Sequence, residues 1–233
     1  MNISDHSNRL LDDISQSQQE KILKHLSLVL SANAKINLTR ITNEEEAKML
    51  HVEDSLVALP EMEAAPEGLY ADLGTGAGYP GIPLAIITGR QTTLVDSVQK
   101  KMQAVDTMIT NLGLQNQIKT YSGRIEQLSV ERPEAFSVVT ARALTALPSL
   151  LELASPLLST GGYLISYRAN IENEVIDQAV SLEKKIGLTL VSDRKVVLSD
   201  KETPRRILCF EKIAPATINL PRRIGMAQKR PLL

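Results

Sequence analysis

The run Asp72-Leu73-Gly74-Thr75-Gly76-Ala77-Gly78 constrains this chain more than any other stretch. A short apolar segment at 69–73 leads into it, and an apolar helical stretch at 81–88 follows. Three glycines at alternate positions let the backbone turn sharply and let a ligand lie directly against peptide groups. Strand-like runs recur at 91–96, 117–121, 136–140 and 162–167, with helical stretches at 98–111, around 125–128 and at 146–156 between them. Strands and helices alternating at this spacing predict βαβ units around a parallel sheet. A helix near 172–186 precedes two longer strand candidates, 188–198 and 205–213. The polar turn SDKETP between that last pair predicts an antiparallel hairpin at the sheet edge.

The first third reads differently. Ile22, Leu23, Leu26, Val29 and Leu30 recur at helical spacing. Thr42 opens a second helical run whose first turn is acidic, as the helix macrodipole favours. The expected architecture is therefore α/β: a Rossmann-like fold with a central, mostly parallel sheet, an antiparallel C-terminal edge hairpin and a small helical N-terminal cap. Residues 1–66 would form the cap, 67–213 the ligand-binding domain and 214–233 a basic tail running over the surface.

Composition narrows the partners. No apolar run approaches the roughly 18 residues of a membrane span, and the opening MNISDHSNRLLDDIS is too polar for a signal peptide. One cysteine, Cys209, and three scattered histidines, His6, His25 and His51, give no metal-ligand spacing and no internal disulfide. The expectation is a cytoplasmic monomer with neither a membrane nor a metal partner. A net charge of −1 conceals an asymmetry: residues 194–233 carry ten Lys/Arg against Asp200, Glu202 and Glu211. Such a segment suggests a local face for a polyanion.

The glycine loop admits two ligands. Gly76-Ala77-Gly78-Tyr79-Pro80-Gly81 satisfies the G-x-G-x-x-G dinucleotide fingerprint, with Asp96 about twenty residues on. Asp72, however, sits at the strand mouth, where its charge opposes a pyrophosphate that wants bare helix N–H groups. It suits the ammonium of S-adenosylmethionine instead. Asp96, at the end of the second strand, can accept both ribose hydroxyls or cap the helix that follows. The loop after strand three, Ser122-Gly123-Arg124-Ile125-Glu126, would pass the adenine, with Ile125 packed on the ring. The fourth strand ends in Thr140-Ala141-Arg142-Ala143 and has no (Asp/Asn)-Pro-Pro-aromatic motif for holding an exocyclic amine. A ring nitrogen with its own lone pair needs no proton removed, so positioning and electrostatics can carry its methylation. Arg142, costly to bury without a partner, is then a candidate site residue.

These residues together resemble a known family. NLTRIT, LHVEDS, DLGTGAGYPGIPLAI, LVDSVQKK, GRIEQL and VVTARAL, in order from about Asn33 to Tyr167, are similar to the small-subunit ribosomal RNA methyltransferases called RsmG or GidB. Weaker similarity continues into PRRIGMAQKRPL. The resemblance implies a Rossmann-like methyltransferase that uses S-adenosylmethionine to methylate nitrogen-7 of a guanine in 16S ribosomal RNA, free or in the small ribosomal subunit. Carried over by position, it implies cofactor contacts at Gly74, Tyr79, Ile125, Glu126 and Arg142. Asp72, Gly76, Gly78 and Asp96 join them from the loop and strand positions. Arg142, His51 of the His-x-x-Asp-Ser stretch, and Arg168 would serve the acceptor side. Arg168-Ala169 stands where the family commonly has Lys-Gly, keeping the charge but changing the donor geometry. The alternatives are a small-molecule methyltransferase, an NAD-dependent oxidoreductase and a non-catalytic RNA-binding module.

Overall fold

The computed structural model describes residues 14–232; the polar opening segment with His6, and Leu233, lie outside the described residues. The chain begins with α1 (Gln16–Ile36), closed at its start by a capping box in which Ser15 and Gln18 satisfy each other's backbone N–H groups. The second helical run is not one helix. It comprises α2 (Glu44–Ala47), a wide π turn (Lys48–Glu53), α3 (Asp54–Leu56) and α4 (Leu59–Ala64). Alternation follows with β1 (Tyr70–Leu73), α5 (Gly81–Thr88), β2 (Thr92–Asp96), α6 (Gln99–Asn111), β3 (Ile118–Ser122), α7 (Ile125–Glu131), β4 (Phe136–Arg142) and α8 (Leu147–Ala154). The chain continues through β5 (Leu158–Arg168), α9 (Asn173–Ser181), α10 (Glu183–Ile186), β6 (Leu188–Val197), β7 (Pro204–Lys212) and α11 (Met226–Lys229).

Seven strands form one sheet in the order β3-β2-β1-β4-β5-β7-β6. The first five are parallel, while β7 runs antiparallel to both β5 and β6. The expected hairpin is present, and its second strand lies inside the sheet, between β5 and β6. A dinucleotide-binding sheet in the order 3-2-1-4-5-6 has no such insertion, so the topology favours S-adenosylmethionine over NAD. β5 begins four residues before the expected 162 because Leu158 already pairs with Phe136, ahead of a register shift that resumes at Tyr163; a Cβ at Gly162 in that irregularity would lie 3.0 and 3.1 Å from the carbonyl oxygens of Ser137 and Phe136.

Apolar cores cover both faces, which is why β1 is buried along its whole length. On one face Ile22, Leu26 and Val29 of α1 pack into the same cluster as Ile82 and Leu84 of α5 and Met102 and Val105 of α6. The helical cap thus shares the sheet's core. The opposite cluster joins α7, α8 and α9 and includes Ala227 of the tail, 2% exposed. The tail does not simply run over the surface, as its lack of periodicity suggested; α11 and a set of side-chain bonds dock it. Among the described residues no helix is long and apolar enough to cross a membrane, and no group of three or more His, Cys, Asp or Glu could hold a metal.

Candidate cofactor cleft and the cluster beneath the glycine loop

The carboxyl ends of β1, β2 and β3 border a cleft enclosing about 420 Å³ of empty space, part of it open to solvent. Its wall includes Gly74, Asp96, Gly123, Ile125, Glu126 and Leu144. The loop is fixed by backbone bonds: Gly74 and Thr75 donate to the Val95 carbonyl at 2.8 and 3.0 Å. Gly74 adopts φ +70°, which favours glycine, and a Cβ there would meet Leu144 Cδ1 at 2.6 Å and make that side chain shift. Asp96 is aimed by two bonds, accepting from Gly76 N at 3.2 Å and from Val98 N at 2.9 Å. Ribose ligand and turn cap were alternatives in the sequence; the turn bond exists, and the partly exposed carboxylate still faces the cleft. Ile125 and Glu126 open α7 on the far wall. Glu126 is only 8% exposed, and its Oε1 accepts from Gly225 N at 2.7 Å, so the tail holds it.

Other expected contacts lie behind the loop and do not line the cleft. Asp72 is sealed, at 0% exposure, with Oδ2 accepting from Gly81 N at 3.0 Å and Oδ1 from the Thr140 hydroxyl at 2.7 Å. Direct contact with an ammonium, the role expected from its place at the strand mouth, gives way here to bonding the first turn of α5 and the sheet. Burial raises its pKa, against bonds from its hydroxyl and backbone donors. Gly78, at φ +94°, is buried: a Cβ would meet Ile82 Cδ1 at 2.7 Å and His25 Nε2 at 3.0 Å. Tyr79 is 3% exposed and lies between two histidine rings, with centroids 4.5 Å from His25 and 4.8 Å from His51. Its hydroxyl has no hydrogen-bond partner among the described residues, and burial raises its pKa.

His51 sits on the π turn, stacked on Tyr79 at 14° and bonded through Nε2 to the Thr39 hydroxyl at 3.0 Å. Burial first, then the neighbouring Arg142 cation, pushes its pKa down to about 4. His25 was passed over in the sequence. It is fully buried on α1, bonds the Ala77 carbonyl at 3.0 Å, and is pushed down to about 3, mainly by burial. Its position three residues after Ile22 and four before Val29 places it on the core-facing stripe, but nothing local ties it to the glycine loop.

Arg142 has a structural partner as well as a site address. Its Nη1 donates to Asp54 Oδ2 and to the Leu50 carbonyl, both at 2.9 Å, and its guanidinium lies 5.9 Å from the Tyr79 ring centre. Asp54 also takes Arg205 at 2.6 Å. The LHVEDS stretch thus docks the cap on the sheet, helped by Glu53, which accepts from Ser199 N and Oγ, and by Ser55, whose carbonyl accepts from Tyr167. After Arg142 the chain passes through Ala143 at φ +52°, a left-handed conformation uncommon outside glycine. Arg168 braces that loop, donating to the Thr145 carbonyl at 2.7 Å and to Ser166 Oγ at 2.9 Å; burial lowers its pKa to about 10. The basic C-terminal face is reduced. Arg194, Arg205, Arg206 and Arg222 pair with Glu61, Asp54, Asp193 and Glu152, and Lys212 is buried against Ser155.

A glycine loop at the mouth of β1, an aspartate at the end of β2 and the β7 insertion describe a nucleoside-binding methyltransferase sheet, and the comparisons agree. A family model described as GidB, rRNA small subunit methyltransferase G, matches residues 18–203. The chain belongs to this family. The ribosomal RNA small subunit methyltransferase G of Alkaliphilus metalliredigens is 31% identical over 222 residues, covering 94% of this chain and 92% of the relative. That of Deinococcus radiodurans is 34% identical over 217 residues, covering 92% and 85%. Among solved structures, an O-methyltransferase from Bacillus cereus in complex with SAH aligns at TM-score 0.57 and 19% identity, covering 81% of this chain and 90% of that one. The antibiotic-resistance methyltransferase Kmr aligns at TM-score 0.51 and 18% identity, covering 66% and 93%. These last two speak to the fold alone. As a GidB-family member the chain is an S-adenosylmethionine-dependent methyltransferase, and the NAD alternative falls.

Proposed function

We propose that this chain methylates nitrogen-7 of a guanine in 16S ribosomal RNA, in the cytoplasm, with the cofactor seated along the cleft at the ends of β1–β3. The observation that carries the cofactor's place is Asp96, a carboxylate fixed by two backbone N–H groups and turned to the cleft. Charged acceptors of this kind make strong bonds to hydroxyls, and glycine at position 74 lets Leu144 pack against the loop on the cleft wall. Ile125 offers an apolar contact beside the adenine position. When bound, the cofactor supplies an electrophilic methyl group on a sulfonium.

The protein's task is then mostly orientation. A ring nitrogen with a free lone pair loses no proton, so no general base is required. His51 fits that absence: buried and held near pKa 4, it is neutral at physiological pH and positions Tyr79 behind the loop. Orientation of two reactants alone can contribute about 7–11 kcal/mol. Arg142 and Arg168 hold the loop between β4 and α8 that borders the acceptor side, Arg168 through a carbonyl and Arg142 at the loop's root. Arg168 has no carboxylate among its bonded partners, which suits a cation awaiting an RNA oxygen. The buried Cys209 thiol, pushed up to about 12, takes no part.

The test is transfer of labelled methyl to small ribosomal subunits purified from cells lacking this activity, followed by nucleoside analysis. Label in 7-methylguanosine is expected. Label in another nucleoside, or in small amines and not RNA, overturns the reading.

A further inference from the structure

We infer that the C-terminal segment from Arg222 to Arg230 is a strap that completes the cofactor cleft, with Gln228 as a cofactor contact; this rests on the reading of the cleft given above. Two carboxylates that the sheet domain buries are satisfied by this segment. Glu152 on α8, 2% exposed, receives Arg222 through both oxygens at 2.6 and 2.5 Å. Glu126, on the cleft wall, accepts from Gly225 N at 2.7 Å. Arg222 also donates to the Arg230 carbonyl at 2.7 Å, so the segment closes on itself. Between these ties Ala227 enters the core beside α8.

With the segment held so, the next residue, Gln228, lies on the cleft wall with Asp96, Ile125 and Glu126. Its amide carries both donors and an acceptor, the set needed to bond the polar edge of a nucleoside base. Detaching the strap would leave Glu152 buried without its cation, which is strongly unfavourable, and would free Glu126 to swing at the cleft. Strap and cleft wall therefore act as one unit. Whatever fills the cleft favours the docked strap, and by linkage the docked strap favours what fills the cleft.

S-adenosylhomocysteine serves as the probe, titrated calorimetrically into full-length wild type, Gln228→Ala and Arg222→Ala, with trypsin cleavage after Arg223 and Lys229 followed with and without it. Gln228 is an exposed residue of the cleft wall, so Gln228→Ala should keep the wild-type melting temperature and bind about five- to tenfold more weakly, the scale of one polar contact. Arg222→Ala should bind at least about tenfold more weakly. Trypsin should cut the wild-type strap more slowly once the ligand is present. Gln228→Ala binding within about twofold of wild type, with cleavage indifferent to the ligand, overturns the strap while the cleft stands. A wild type that binds no S-adenosylhomocysteine overturns the cleft reading and the strap with it.

Discussion

The cleft wall and the cluster beneath the glycine loop are made from opposite sides of one turn, and they are built differently. On the cleft side, Asp96 is aimed by Val98 two residues away and Gly76 twenty away, and the loop leans on its neighbouring strand. On the underside, His25 meets Ala77 across 52 residues, Arg142 meets Asp54 across 88, and Arg205 meets Asp54 across 151. Apart from the strap's bond to Glu126, which spans 99 residues, the first side is short-range and faces solvent. The second is long-range, buried and charged. Substitutions on the two sides should therefore separate: cleft residues move ligand binding, underside residues move stability.

The largest expected effect on binding is at Gly74. A valine there would force a side chain into φ +70° and onto Leu144, at 2.6 Å even for its Cβ. Strain of roughly 1–3 kcal/mol plus displacement of the wall should weaken S-adenosylhomocysteine on the order of a hundredfold by calorimetry. Asp54→Ala should do the opposite. It strands Arg142 and Arg205, and breaking a buried pair costs about 3–5 kcal/mol, which urea denaturation would read as a lower midpoint. Binding by its folded fraction should stay within a fewfold of wild type, and a binding loss larger than the stability loss would break the distinction.

Acid should also act on the underside. His25 and His51 are depressed to about 3 and 4 in the fold from an ordinary 6.5. Unfolded chains bind their protons first, so this stability is complete above pH 6.5 and declines as pH falls toward 4, with His25 continuing toward 3. Urea midpoints at pH 7 and pH 5 should differ, and His25→Gln should show a smaller difference. The smallest effect belongs to Tyr79→Phe. Its hydroxyl has no partner among the described residues, so removing it should change stability by less than about 1 kcal/mol. A clear loss of ligand affinity in that variant would instead show the hydroxyl reaching the cofactor.

The asymmetry also explains what could be read in the sequence. The strand–helix alternation, the glycine loop and Asp96 are local signals, and each lies in the structure within a few residues of its expected place. The β6–β7 hairpin was visible from its polar turn, whereas its insertion with β7 beside β5 depends on pairing across the sheet. Asp72 at the strand mouth points to the ligand in sequence, whereas its burial by α5 and Thr140 is a tertiary fact. His25 and Asp54 looked like ordinary helix residues, since their partners lie far along the chain. The basic tail misled for the same reason. Arg194, Arg205 and Arg206 on the edge hairpin and Arg222 in the tail read as exposed charge, whereas Glu61, Asp54, Asp193 and Glu152 lie opposite them.

The central claim, that the cofactor is held at the strand ends by a preset carboxylate, is tested most directly by titrating S-adenosylhomocysteine into Asp96→Ala beside wild type. Loss of one charge-assisted contact pair should weaken binding by about tenfold or more, while the urea midpoint shifts by no more than a lost turn cap allows, about 1 kcal/mol. Wild-type affinity in the variant would contradict the account and move the ribose away from β2.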